Sequence, residues 1–218
     1  MKKCVQIAID GPAAAGKSTI AKLMAEKLQY VYVDTGAMYR AITWKVLDEG
    51  VDINNEDAVR KLLAETDIVL LPEGQVQVDH VMVTDAIRDQ QVTKHVSQIA
   101  TYEQIREELK ERQIVLANSA NVIMDGRDIG TNVLPQADFK FFMIADSGVR
   151  AQRRHKENLA KGIESDLDQL EADIKKRDET DANRVHSPLK QAKDAILIDT
   201  SALSIAEVVD KMIGYVLK

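Results

Sequence analysis

Two glycines, Gly11 and Gly16, bracket Pro12, Ala13, Ala14 and Ala15, and Lys17, Ser18 and Thr19 follow directly. A glycine, four residues, a second glycine, a lysine and a hydroxyl residue is the spacing of a loop built to hold phosphate. Small side chains let consecutive backbone N–H groups turn inward around phosphate oxygens, and a helix beginning at Lys17 would aim its positive end at the same point. Lys17 can then neutralise β- and γ-phosphate charge, while the hydroxyl of Ser18 can ligate Mg²⁺. The other reading of these residues is a plain strand-to-helix turn with an exposed lysine. No Gly-x-Gly-x-x-Gly dinucleotide fingerprint occurs. The spacing specifies a bound triphosphate and leaves the reaction open.

Further stretches carry charge at useful spacings. In "VDTGAMYR", Thr35 and Arg40 fall where a second strand passes into a helix, the edge at which ligands of open α/β sheets gather. The alternative makes Thr35 an N-cap and Arg40 a surface charge. In "VIMDGRDIGT", Asp125 ends an apolar strand and suits the carboxylate that supports a metal opposite Ser18. Gly126 then lets the chain turn and bring Arg127 and Asp128 to the same edge, unless this is an ordinary strand-to-loop turn. Arg177, Asp181 and Arg184 are spaced i, i+4, i+7, so a continuing helix would put all three on one face. Arg150, Arg153 and Arg154 share a face in the same way, and either group could instead be a solvated surface, with Arg153 pairing Glu157. His80, His95, His155 and His186 are scattered, without ligand spacing.

These residues need a scaffold, and the apolar pattern predicts one. "CVQIAID", "YVYVD", "NVIMD", "FKFFMIA" and "AILID" read as short buried strands with helical spacing between them, which argues a parallel sheet covered by helices. The segment from Asp67 to Thr84, broken by Pro-Glu-Gly and Asp-His, reads as a small antiparallel meander inserted into that rhythm. From Asp146 to Leu189 the chain is charged and helical, punctuated by Gly162 and Pro188, and could be a mobile lid. Neither repeat nor linker divides the 218 residues, so one domain, 1–218, is expected.

Composition bounds the partners. A formal net charge of -6 supplies no basic field for gripping nucleic acid, so an anion site has to be built locally. The single cysteine, Cys4, leaves no disulfide framework, and no run approaches a membrane span. "MKK" followed by "CVQIAID" only mimics a secretory leader, because Gln6 and Asp10 interrupt the short apolar run. A cytoplasmic protein with no membrane or nucleic-acid partner is expected.

The blocks "IDGPAAAGKST", "VDTGAMYR", "DGRDIGT" and "IKKRDETDANR", in that order and spanning nearly the whole chain, strongly resemble those of the bacterial cytidylate kinases, within the nucleoside monophosphate kinases. The resemblance implies a three-layer α/β/α phosphate-loop kinase fold. It would have a five-stranded parallel sheet, a small antiparallel β insert in the acceptor-binding region and a helical lid over ATP. It implies Mg²⁺-dependent transfer of the ATP γ-phosphoryl group to CMP or dCMP, in pyrimidine nucleotide metabolism, by a monomer. By the same resemblance Gly11–Thr19 hold ATP, and Arg150, Arg153 and Arg154 close over its phosphates. Arg40, Arg127 and Arg184 clamp the acceptor phosphate, Arg177 and Asp181 hold its ribose, and Ser97 and Arg106 match base-binding positions. Thr35 stands where some members carry serine, and the resemblance implies that its hydroxyl likewise helps to bind CMP.

The chemistry suits such a site. An acceptor phosphate is already largely ionised at neutral pH, its second pKa being about 6, so no general base is needed. The difficulty is to bring two polyanions together and stabilise a loose, in-line transition state, a task for arginines. Cytosine offers an amine donor beside acceptor atoms, so its reader combines a carboxylate, for which Asp128 is suited, with hydrogen-bond donors. Three other readings remain: a GTPase or motor ATPase, although no Asn-Lys-x-Asp segment occurs; a non-catalytic nucleotide sensor; and a kinase for a small non-nucleotide acceptor.

Overall fold

The computed structural model describes residues 4–160 and 162–217; the leader-like residues 1–3 lie outside them. The first half of the chain runs β1 (Gln6–Asp10), α1 (Lys17–Leu28), β2 (Val31–Asp34), α2 (Thr35–Asp48), α3 (Glu56–Glu65), β3 (Ile68–Leu70), β4 (Val76–Val78), β5 (Val81–Met82) and α4 (Gln90–Ile99). The second half runs α5 (Glu103–Ser119), β6 (Val122–Gly126), β7 (Phe139–Ile144), α6 (Ser147–Ala160), α7 (Leu167–Ala182), β8 (Ile196–Asp199) and α8 (Ile205–Val216).

Side chains alternate across a strand, and here both faces are apolar, so the sheet must be covered twice. Ile7, Ile9, Ile123 and Phe141 pack under Ile20 and Met24 of α1 and Val208 and Met212 of α8. The intervening Ala8, Val122 and Met124 face Ala117 of α5 and the turn holding Ile129 and Val133. The result is a three-layer α/β/α fold on a five-stranded sheet in the order β2–β6–β1–β7–β8, with every pairing parallel. The inserted segment folds as expected into a three-stranded antiparallel sheet, β3–β4–β5. Its Val76 and Val78 pack with Val83 and Ile87 on Ala37 and Ala41 of α2, so the insert is anchored to the helix that begins at the carboxyl edge of the sheet. No helix among the described residues is long and apolar enough to cross a membrane.

Two boundaries differ from the sequence reading. Thr35 is not the cap of α2; Asp34 is, its side chain accepting the N–H of Ala37 at 2.9 Å. A carboxylate at the helix start competes well for that position. Helix α7 stops at Ala182, so Arg184 lies beyond it rather than on a continuing helical face.

The phosphate loop explains its own glycines. Gly11 has φ 148, and a Cβ there would overlap the carbonyl oxygen of Met143 on the neighbouring strand. Gly16 has φ 88 and starts α1. Ala14 takes φ 57, a left-handed conformation that disfavours a side chain, so the alanine-rich loop carries local strain. Gly11→Ala should combine a poor backbone conformation with overpacking and cost about 2–5 kcal/mol of unfolding free energy. Urea unfolding measures it, and a loss under about 1 kcal/mol would contradict this account of the loop.

Candidate active site

Strands β2, β6 and β1 are neighbours, so their carboxyl ends open side by side. Asp10 stands opposite Gly126, and Asp34 opposite Asp125. This edge therefore carries the phosphate loop, the start of α2 and the Asp125–Asp128 turn together.

At the loop, Ser18 Oγ donates to Asp125 Oδ2 at 2.9 Å, and the Tyr32 hydroxyl donates to Asp125 Oδ1 at 2.9 Å. Thr35 Oγ1 donates to the Asp125 carbonyl at 2.7 Å, across Gly126, where any Cβ would lie 2.7 Å from that hydroxyl. Thr35 is thus a fixture of the turn. Lys17 is buried and donates to the carbonyl of its own loop residue Pro12 at 2.7 Å. Burial, followed by the nearby Arg127 charge, pushes the Lys17 ammonium below its ordinary value. Burial, followed by Asp34, pushes the Asp125 carboxyl up. Burial disfavours the charge on each group, a cost that a phosphate beside Lys17 and a cation beside Asp125 would offset. A hydroxyl and a carboxylate in contact form a hard oxygen donor set, which fits Mg²⁺ shared with substrate phosphates. Among the described residues no cluster of three His, Cys, Asp or Glu could hold a metal alone. Thr19, on the first turn of α1, is exposed.

Some distance along the edge a second polar cluster is buried. Arg106 Nη2 donates to Asp128 Oδ2 at 2.6 Å, with the two residues only 4% and 5% exposed. The Arg106 guanidinium lies 5.5 Å from the centre of the Tyr39 ring, and Asn132 Nδ2 also donates to Asp128 Oδ2, at 3.1 Å. Arg106 and Arg184 both donate to the Ala100 carbonyl, at the end of α4. Ser97 is half-buried on that helix.

Between the two clusters, Asp181 accepts from Arg127 Nε at 2.9 Å and lies 3.9 Å from Arg184. Arg40 donates to Thr93 Oγ1 at 2.9 Å and to the Ile87 carbonyl at 3.3 Å. Burial, with Arg177 next, pushes Arg40 down to about 9; burial, with Arg127 next, pushes Arg177 down to about 10. Among the described residues, Arg106 Nε, Arg177 Nε and Arg184 Nη2 are buried with no hydrogen-bond acceptor. Guanidiniums here outnumber the carboxylates that serve them.

The three arginines of α6 do not act as one face. Arg150 is buried: it donates to the Ala13 carbonyl of the loop at 3.0 Å, to the Ala145 carbonyl at 2.9 Å and to Asp178 at 2.5 Å. Asp178 in turn accepts the N–H of Ala13 at 3.2 Å, tying α7 to the phosphate loop. Arg153 is not paired with Glu157; it donates to the Thr200 carbonyl at 2.6 Å, while Arg154 lies 3.5 Å from Glu157. Only Arg154 among the three is left with an exposed ion pair. Sequence reasoning missed Asp10, Tyr32, Tyr39, Asn132 and Asp178. Asp10 alone left a signal, an acidic residue at the end of an apolar strand and directly before the loop.

The three layers, the strand order and the loop together define the phosphate-loop kinase fold. Solved structures with this fold include a gluconokinase from Sinorhizobium meliloti 1021 (TM-score 0.52, 14% identity, covering 100% of this chain and 94% of that one) and the shikimate kinase from Bacteroides thetaiotaomicron (TM-score 0.50, 15% identity, 98% and 99%). At that identity the likeness extends to the fold alone. Residues 7–218 match the family model described as cytidylate kinase. A cytidylate kinase from Listeria innocua is 53% identical over 217 residues, covering 98% of this chain and 96% of its own length. One from Geobacillus kaustophilus is 52% identical over 219 residues, covering 99% and 98%. The chain belongs to the cytidylate kinase family.

Asp181 yields a pH prediction. Burial would raise its carboxyl, but Arg127, Arg177 and Arg184 outweigh that and hold it below the ordinary value. Its contribution to stability is then full above the unfolded value of about 4 and is lost as pH falls through the lower folded value. Asp181→Asn should cost about 3 kcal/mol at neutral pH, and that cost should shrink when unfolding is repeated near pH 2. An equal cost at both pH values would show that the carboxylate charge is not what matters.

Proposed function

We propose that this chain transfers the γ-phosphoryl group of ATP to CMP and dCMP, giving ADP with CDP or dCDP, as a single-domain monomer. The observation that carries the reading is the surplus of buried guanidinium groups around Asp181, next to a phosphate loop. Such a surplus is costly in a protein alone and becomes favourable once phosphates arrive.

Gly11–Thr19 would wrap the donor phosphates, with Lys17 on the β- and γ-oxygens. Ser18 and Asp125 would hold Mg²⁺, which when bound supplies charge neutralisation on those same phosphates. Arg40, Arg127 and Arg184 would draw the acceptor phosphate in, and Arg177 and Asp181 would fix its ribose. One acceptor phosphate oxygen attacks the γ-phosphorus as the bond to the β–γ bridging oxygen breaks. The electron pair leaves with ADP. No protein base takes part, because the attacking oxygen is already ionised. Arg150, through the Ala13 carbonyl, and Arg153, through Thr200, would hold α6 beside the donor, and Arg154 would turn from Glu157 onto its phosphates, so that water is excluded and wasteful hydrolysis limited.

The acidic partner of Arg106 supports a cytosine reader. Asp128 would accept from the exocyclic amine, and Arg106 with Ser97 would donate to the ring acceptors. Uracil presents a carbonyl in place of the amine, leaving Asp128 lone pairs facing an acceptor.

ADP release from ATP·Mg²⁺ should be fast with CMP or dCMP, slower with UMP and slowest with AMP or GMP. Comparable ADP release with no monophosphate added would point to an ATPase instead. Lys17→Ala should lower kcat by about a hundredfold or more, with a smaller change in KM for CMP. Asp128→Asn should cut the CMP-to-UMP ratio of kcat/KM by about tenfold to a hundredfold, and an unchanged ratio would remove Asp128 as the base reader.

A further inference from the structure

Asp10 ends β1 immediately before the phosphate loop, yet its carboxylate serves another part of the chain. Oδ1 accepts the backbone N–H of Ile129 at 2.8 Å and Oδ2 that of Gly130 at 2.7 Å, with partners 119 and 120 positions away. The residue is 4% exposed. Those two amides open the single turn of π-helix Ile129–Val133, whose cap is Asp128. The Asp128 carbonyl accepts the N–H of Asn132 at 2.8 Å, so the turn fixes the backbone that presents the Asp128 carboxylate to Arg106.

A buried carboxylate is expensive unless both oxygens are satisfied, and here each oxygen takes one amide. An asparagine would turn its NH₂ toward one of those N–H groups and lose that bond. Asp128 lies close enough to repel Asp10, so the amides on one and Arg106 on the other are what let two acids share this edge.

We propose that Asp10 is the positioning residue for Asp128: it sets the height of the base-reading carboxylate relative to the phosphate loop, and so registers the acceptor base against the donor phosphates. The loop end of this connection is rigid, since Gly11 abuts the Met143 carbonyl. The inference rests on Asp128 reading the base as proposed above.

The test compares Asp10→Asn with the wild-type enzyme in kcat/KM for CMP and UMP, in KM against kcat for CMP, and in affinity for a non-hydrolysable ATP analogue. The ratio of CMP to UMP should fall about tenfold, mainly through KM for CMP, while affinity for the analogue stays within about twofold. A variant that melts earlier but keeps the wild-type ratio overturns the inference alone, because Asp10 is then structural only. A wild type without preference for CMP overturns the base-reading assignment and this inference with it. Should Asp10→Asn fail to fold, amide hydrogen exchange of the wild-type protein decides. The N–H groups of Ile129 and Gly130 must be protected before CMP is added, and exchange as fast as that of surface loops overturns the proposal.

Discussion

Arg127, Arg177 and Arg184 crowd around one carboxylate, Asp181, while Arg177 also repels Arg40, whose nearest acid is Asp34, and the rest of the structure is organised around bearing that repulsion. Burial raises the cost, because low dielectric strengthens repulsion as much as attraction. The chain as a whole is acidic, with a formal net charge of -6, so the cationic region is local and not part of a general field. A cluster of this kind is unfavourable by itself, and entering anions would turn the same repulsion into attraction.

The scaffold bears that cost by geometry. Parallel pairing of β2, β6 and β1 aligns their ends to within one residue, so Asp34, Asp125, Gly126 and Asp10 line a single edge without help from loops. Backbone contacts then replace side-chain freedom: Thr35 bridges to the Asp125 carbonyl, and Gly126 has no Cβ to obstruct it. The insert packs Val76 and Val78 against Ile87, whose carbonyl holds Arg40 together with Thr93 of α4. The strand ends carry the carboxylates Asp10, Asp34 and Asp125, and the surrounding helices supply Lys17 from α1, Arg40 from α2, Arg106 from α5, Arg150 from α6 and Arg177 from α7.

Much of this was legible in the sequence because the relevant signals are local. The loop spacing from Gly11 to Ser18, the strand ending at Asp125 and the broken β meander each declare themselves within a few residues, and each has the predicted structure. What stayed hidden depends on partners far along the chain. Asp10 finds its amides more than a hundred positions away, Arg153 finds Thr200 instead of its helical neighbour Glu157, and Asp178 reaches back to Ala13. Helical periodicity likewise carried Arg184 into α7, whereas the chain leaves the helix after Ala182 and still returns that arginine to Asp181. Spacing shows which residues a helix could align; it does not show where tertiary hydrogen bonds end the helix.

Helix α7 touches both halves of the site within one turn. Asp178 grips the loop through the Ala13 N–H and Arg150, and Asp181, three residues on, holds Arg127. An α-helix advances about 1.5 Å per residue and resists stretching, so these two grips are about 5 Å apart along a stiff rod. The helix therefore behaves as a spacer: it fixes the distance between the loop at Ala13 and the turn at Arg127, two segments that lie more than a hundred residues apart in the chain.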